Sequence, residues 1–269
     1  MIININDDLD FEKIRDSGEC FRVKRFEDDT FRFITGDKVL YIKENCPGEF
    51  EVSCSKDEWD SVWADYFDLG RNYSEIRNRL SGDDDYSQKA IDFSSGIRIL
   101  KQDPWETLVS FIISQRKSIP SISSAIEKIS ACFGRKIETE REVIYTFPDA
   151  SEFPAEGDER LASCSLGYRL PYVEKAAAEV RSGSLDLEAL RSLNDKALLD
   201  RLMKLYGVGV KVANCVCLFA YGRTSMAPID TWIARVIDSE YGGTDPFPQY
   251  GEYAGILQQY IFYYARKNS

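Results

Sequence analysis

The chain has 269 residues, 43% hydrophobic and 29% charged, with 34 Lys and Arg against 45 Asp and Glu for a formal net charge of −11. That length can bury a substantial core and hold more than one domain, and the aromatic content is that of an ordered globular protein. There is no histidine, which excludes Ser-His-Asp and Cys-His catalysis, histidine metal ligation and histidine general bases, leaving Lys, Asp, Glu, Cys and Tyr.

Seven cysteines (20, 46, 54, 132, 164, 215 and 217) are scattered with no C-x-x-C pair, which argues against a disulfide framework and a zinc site. The longest apolar run, residues 212–221, is too short for a bilayer and is interrupted by Asn214. The early residues are acidic (Asp7, Asp8, Asp10), with no basic region before an apolar stretch, so a cytoplasmic, nucleoid-associated protein with no membrane partner is expected. Nucleic-acid proteins usually carry a basic footprint. Here residues 1–90 carry net −9 and residues 91–269 only −2, and backbone amides can bind phosphate without side-chain charge.

In chain order, residues 1 to about 65 read as strands. FRVKRF, TFRFITGD and KVLYIKE alternate apolar and polar positions between turn signals at Glu27-Asp28-Asp29, Gly36-Asp37 and Pro47-Gly48, predicting an antiparallel meander followed by FEVSCS. From Glu58 the spacing turns helical through WDSVWADYF, NYSEIRNRL and DYSQKAIDFSSG, with Asp83-Asp84-Asp85 as a solvated helix N-terminus. Residues 101–122 start a buried helix with Pro104 at N1. It ends near Gln115, before a loop with Arg116 and Lys117. Residues 124–150 give another helix and a loop containing Pro148; Gly167 then turns the chain ahead of Tyr168 and Arg169.

Residues 202–230 carry the chemistry. A helix ending near Leu205 meets Gly207-Val208-Gly209, whose glycines permit a tight reversal before a second helix near Lys211. This helix-hairpin-helix presents backbone N–H groups to a phosphate without sequence preference. Lys211 lies in the first turn of that helix, where the dipole disfavours a cation by about 0.3–1 kcal/mol. A lysine so placed suits attack on an electrophilic carbon and Schiff-base formation; on the hairpin alone, a phosphate-binding lysine is the better reading. Asp230 follows Gly222 and Pro228 as the cap of WIARVI. In the C-terminal amphipathic helix Gln258 and Phe262 stand four apart on one face.

The constellation resembles the 8-oxoguanine DNA glycosylases of the helix-hairpin-helix glycosylase superfamily. There the pattern is hairpin, Lys, Val-Ala-x-Cys, and an Asp nineteen residues after the Lys; Lys211, Val212, Ala213, Cys215 and Asp230 match it. No cysteine follows Cys217, unlike the iron–sulfur enzymes of the endonuclease III type. The resemblance implies excision of 8-oxoguanine from duplex DNA by base flipping. Lys211 attacks C1′, a Schiff base forms, β-elimination follows, and Asp230 stabilises developing positive charge. It further implies that the Gly18 carbonyl contacts the lesion, within Ser17-Gly18-Glu19-Cys20-Phe21-Arg22, where Glu19 stands in place of the family's Gln. Cys215, Gln258 and Phe262 form the base pocket. Tyr168 is the wedge and Arg169 the reader of the orphaned base. Arg116, Lys117, Ser118 and Ser121 occupy the places of the family's asparagine run and a following arginine, so basic contact survives while the cytosine-reading pattern does not. Gly207 and Gly209 face the phosphate, and the backbone carbonyls of Met203, Leu205 and Val208 hold a structural cation.

The expected fold is α+β, with a β-rich N-terminal domain (1–95) followed by a helical region (96–269) whose C-terminal helix lines the base pocket. A monomer acting on double-stranded DNA, without cofactor, is expected. Two other readings stay open. An alkylpurine glycosylase of the 3-methyladenine type lacks the hairpin lysine and uses water with the Asp alone, and the altered 115–117 loop would suit it. A non-catalytic DNA-binding module would use the hairpin for phosphate only.

Overall fold

The computed structural model describes residues 1–81 and 84–268. The chain opens with β1 (Ile2–Asn4) and α1 (Phe11–Asp16), then β2 (Lys24–Arg25), β3 (Phe31–Thr35), β4 (Lys38–Cys46) and β5 (Glu49–Val52). These strands form one sheet in the order β1-β5-β4-β3-β2. The three expected turns lie where the backbone adopts positive φ, at Asp29 (63°), Gly36 (55°) and Gly48 (81°). One element departs from the expected all-strand reading. Asp10 caps α1 by accepting from Lys13 N at 2.9 Å, and Phe11 and Ile14, three apart, are both buried, so a short helix replaces an extended segment. The first residues pair with β5 in the register Ile3↔Phe50.

The stretch 56–66 is α2 (Lys56–Glu58) and α3 (Ala64–Tyr66) joined by a π turn, Trp59–Trp63, which buries both tryptophans. α4 (Tyr73–Leu80) is capped by Asn72 and α5 (Asp85–Phe93) by Asp84, which accepts from Ser87 N at 2.7 Å; Asp83 lies outside the described residues. An aromatic core forms around Phe11, whose ring centroid is 5.4–5.7 Å from those of Phe31, Phe33, Phe50 and Phe67. Each such pair adds roughly 0.5–1.5 kcal/mol beyond area burial.

Next come α6 (Pro104–Ser114), α7 (Ile119–Phe133), a hairpin of β6 (Lys136–Glu138) and β7 (Val143–Tyr145), and α8 (Glu159–Ser163). A 3-10 turn at Gly167–Arg169 leads into α9 (Leu170–Arg181), followed by α10 (Asp195–Leu202), α11 (Val210–Phe219), α12 (Thr231–Glu240) and α13 (Ala254–Lys267). α7 begins earlier than its sequence suggests, because Pro120 sits in its first turn. Ser121 is therefore helical rather than part of a loop.

Two compact units result. One comprises residues 1–33, 40–101 and 222–269; the other, residues 34–39 and 102–221. A boundary near residue 95, drawn from the change of sequence character, leaves 222–269 with the central helices. The contacts group that segment with the first unit: Ser94 Oγ donates to Tyr260 O at 2.9 Å, and the rings of Tyr86 and Phe93 meet Tyr264 at 5.4 and 5.5 Å. In the second unit α6 is the central helix. Asp103 caps it through Glu106 N, and Phe111 stacks on Phe219 of α11 at 5.4 Å and 13°.

Candidate active site

The hairpin joins α10 to α11 within the second unit. Asn194 caps α10 by accepting from Ala197 N at 2.9 Å, and Leu205 O accepts from Val208 N at 3.1 Å to close the turn. Gly207 is required twice over. Its φ is 81°, and a Cβ there would stand 2.2 Å from Tyr172 Cγ. Gly209, in open space, is the N-cap of α11 and offers no side-chain cap. The first amides of α11 thus lack intrahelical partners and form an anion site. The carbonyls of Met203, Leu205 and Val208 all belong to this turn; that of Leu205 already accepts one bond. Among the described residues, no group of three or more His, Cys, Asp or Glu is placed to hold a metal.

Lys211 is the second residue of α11 and half-buried. Its Nζ lies 5.1 Å from the centroid of the Phe111 ring, a cation–π contact. Among the described residues of its own unit, no ion pair joins its amine to a carboxylate. Cys215 follows one turn later and is buried.

Gln115, the C-cap of α6, knits three loops together. Its Nε2 donates to Ile112 O and to Gly207 O, both at 3.1 Å. Its carbonyl accepts from Arg169 Nε at 2.7 Å, from Arg169 Nη2, and from the Tyr168 hydroxyl at 3.4 Å. Arg169 is only 6% exposed. With Nη1 donating to Leu166 O, three of its five N–H groups are committed to backbone carbonyls, so it fixes this loop whatever else it does. Its guanidinium also lies 4.3 Å from the centroid of the exposed Tyr168 ring. Arg116 is exposed, with a φ of 53° that costs a non-glycine residue roughly 1–2 kcal/mol. Lys117 Nζ donates to Ser165 O at 2.5 Å; burial, then Arg169 and Lys128, lower its pKa from the usual lysine value.

Sequence reasoning missed Gln115, Tyr172, Tyr206 and Lys175. Tyr206 packs edge-on against Tyr172 at 5.1 Å and carries Lys175 Nζ 3.8 Å from its ring centroid. Tyr168, Met203, Tyr206 and Val210 are each 43–56% exposed. An aromatic and apolar surface with lysines and bare helix amides suits nucleic acid.

The remaining expected residues lie in the first unit. Asp230 caps α12, its Oδ1 accepting from Trp232 N at 3.0 Å and Ile233 N at 2.9 Å. α13 carries Gln258 and Phe262 and also holds the segment before Gly18: Gln259 Nε2 donates to Ser17 O at 3.0 Å, Arg266 Nη1 to Asp16 O at 2.9 Å, and Lys267 Nζ to Asp16 Oδ2 at 2.7 Å. Gly18 has a φ of 78°. Gln258 is buried, and among the described residues its Oε1 has no hydrogen-bond partner, a state that costs about 1–3 kcal/mol. Phe262 is half-buried beneath the Arg266 guanidinium, 5.2 Å from its centroid. Burial lowers the pKa of Arg266 against the opposing charges of Asp16 and Asp230. Glu19 is fully buried, its Oε2 accepting from Leu100 N at 3.0 Å and its Oε1 3.2 Å from Ser17 Oγ. Burial pushes its carboxyl up to about 8, against these two hydrogen bonds.

The family model described as 8-oxoguanine DNA glycosylase, N-terminal domain, matches residues 1–108. The chain is similar to MBOgg1, solved in complex with a low-affinity DNA ligand, with 36% identity over 99% of this chain and 95% of that one and a TM-score of 0.93. It is similar to the 8-oxoguanine glycosylase/lyase of Clostridium acetobutylicum, solved with double-stranded DNA containing cytosine opposite 8-oxoguanine, with 34% identity over 100% and 98% of the two chains and a TM-score of 0.91. A probable N-glycosylase/DNA lyase of Methanothermobacter thermautotrophicus is 28% identical over 207 residues, or 66% of each chain.

Proposed function

The chain belongs to the 8-oxoguanine DNA glycosylase/lyase family, and from that membership we propose that it excises 8-oxoguanine from duplex DNA and cleaves the resulting sugar by β-elimination. The observation that carries the reading is Lys211: a cation in the first turn of α11, beside bare helix amides, held over Phe111 and without a carboxylate partner in its unit. A stability-optimised helix would place an acid there.

Inside a duplex, C1′ of the damaged nucleotide is out of reach, so the base is first extruded. The amides of Val210 and Lys211 after Gly209 grip the phosphate, Tyr168 wedges into the opened step, and Arg116, Lys117 and the free N–H groups of Arg169 serve the orphaned strand. The flipped base enters against Cys215, stacks on Phe262 and donates from its pairing edge to Gln258 Oε1, a buried acceptor without a hydrogen-bond partner among the described residues. Its N7 proton, absent from guanine, donates to the Gly18 carbonyl. Lys211 Nζ attacks C1′ and the base leaves, while Asp230, fixed by its two cap hydrogen bonds, stabilises positive charge on the sugar. The C1′–Nζ bond becomes an imine, loss of a C2′ proton expels the 3′ phosphate, and water releases the lysine. The hairpin carbonyls of Met203, Leu205 and Val208 would hold a structural cation, whose positive charge would favour a bound phosphate. The protein acts as a monomer.

Borohydride reduction of the imine tests this. The wild type is expected to give a covalent protein–DNA adduct on 8-oxoguanine duplexes; Lys211→Gln is expected to give none while still binding DNA. An adduct formed by the Lys211→Gln protein would remove the lysine from the mechanism.

A further inference from the structure

The last turn of α13 carries two cations that are held in different ways. Lys267 is exposed, and its Nζ donates at 2.7 Å to the Asp16 carboxylate, which Arg15 Nε also holds at 2.8 Å. A cation so placed is ordinary for a helix C-terminus, where the dipole favours it. Arg266 is half-buried, and among the described residues of its unit no carboxylate pairs with it. Its Nη1 donates instead at 2.9 Å to the main-chain carbonyl of Asp16, the last residue of α1. The same guanidinium lies 5.2 Å from the centroid of the Phe262 ring, one turn back on the same helix face. A guanidinium taken partly out of water without an anionic partner is a poor choice for stability alone. Its planar fork does suit holding two groups at once.

Those two groups belong to the two walls proposed for the base pocket. Phe262 is the stacking ring. Asp16 O and Ser17 O are the two carbonyls before that of Gly18, and α13 takes both, since Ser17 O accepts from the buried Gln259 Nε2 at 3.0 Å. Gly18 then turns at a φ of 78°, so its carbonyl follows a segment anchored on the helix that carries the ring. We propose that Arg266 is a positioning residue of the base pocket, its one guanidinium fixing the spacing between the Phe262 ring and the Gly18 carbonyl. With one face of the ring covered by the guanidinium, a base stacks on the other, and Arg266 acts through Phe262 and residues 16–18 without touching the base. The flipped base must meet the ring and the carbonyl together, and displacing one wall by about an ångström can cost up to about a hundredfold in rate. The inference rests on the assignment of Gly18 and Phe262 to the base pocket.

The test is single-turnover excision from an 8-oxoguanine duplex by the full-length wild type, Arg266→Lys and Arg266→Met, with β-elimination at a pre-formed abasic site as the reference reaction. Arg266→Met keeps an apolar stem and loses both contacts, so excision is expected to fall roughly 10- to 100-fold. An abasic site puts no base in the pocket, so its cleavage should fall far less, by about threefold or under. Arg266→Lys, whose ammonium can keep one contact but not both, should lie between Arg266→Met and the wild type. In a Phe262→Ala background most of the loss caused by Arg266→Met should vanish, because the ring it acts through is gone. Equal losses in excision and abasic cleavage would make Arg266 a general structural residue and overturn the proposal. So would an undiminished loss in the Phe262→Ala background, or excision by Arg266→Met as fast as by the wild type. A wild type that excises no 8-oxoguanine would instead overturn the reading on which the proposal rests, and the proposal with it.

Discussion

Gly207→Ala changes the hairpin by one carbon atom, and two separable penalties follow. A residue with a Cβ held at a φ of 81° loses roughly 1–2 kcal/mol. The new methyl also stands 2.2 Å from Tyr172 Cγ and 2.4 and 2.6 Å from its two Cδ atoms, and such overpacking typically costs about 1–3 kcal/mol. Tyr172 can retreat only by giving up its edge contacts with Tyr206 at 5.1 Å and Tyr168 at 6.0 Å. The total of roughly 2–5 kcal/mol is a large share of the 5–15 kcal/mol typical of a folded domain. Urea unfolding of a double-mutant cycle with Tyr172→Ala resolves the two parts. With the ring absent only the φ penalty remains, so Gly207→Ala should cost about 1–2 kcal/mol there, against about 2–5 kcal/mol in the wild-type background. Equal costs in both backgrounds would refute the steric account and leave Gly207 explained by its dihedral alone.

Asp230→Asn should lower single-turnover excision by several orders of magnitude while leaving the urea midpoint nearly unchanged, because Asn can still accept from Trp232 N and Ile233 N; a near-normal rate would reduce Asp230 to a cap. Glu19, raised from 4.5 to about 8 by burial, keeps in the folded chain a proton that the unfolded chain sheds. Its contribution to stability is therefore complete below about pH 4.5 and is lost as pH rises through about 8. Glu19→Gln should flatten the fall in urea midpoint across that window, and an unchanged slope would assign it to other groups. Discrimination for cytosine opposite the lesion should be weak, since the asparagine run is replaced and Arg169 has three N–H groups committed. Four duplexes differing only in the opposite base test this, and a preference of several hundredfold would show that Arg116 restores the reading.

What could be read from the sequence follows from what is local. Period-two alternation with turn residues located β3, β4 and β5, because positive φ at Asp29, Gly36 and Gly48 is a demand that one or two residues meet alone. Gly207 was legible for its dihedral, whereas the Tyr172 ring above it was not. α1 stayed hidden because six residues show too little periodicity to outweigh strand-like neighbours, and its stability comes from burying Phe11 in an aromatic cluster whose other rings lie 20 to 56 residues away. The grouping of residues 222–269 with the N-terminal unit was invisible for a similar reason. The ring contacts of Tyr86 and Phe93 with Tyr264 join positions more than 170 residues apart.

Gln115 shows where motif reading stops. In FIISQRKS it is one polar residue at the end of an apolar helix, with nothing to mark it. Its side chain spans 92 positions to Gly207, and its carbonyl spans 54 to Arg169. Those bonds couple segments that the family pattern presents as separate motifs: the basic loop after α6, the Gly-Tyr-Arg turn and the hairpin. A half-buried residue whose side-chain amide donates to one loop while its backbone carbonyl accepts from another transmits a displacement rather than absorbing it. Arg169 belongs to the same unit. Its committed N–H groups hold the turn that positions Tyr168, so its arginine identity is explained by geometry even before any base is read. The family pattern combines residues proposed to touch DNA with residues that keep the loops in register, and the hydrogen-bond partners tell the two apart.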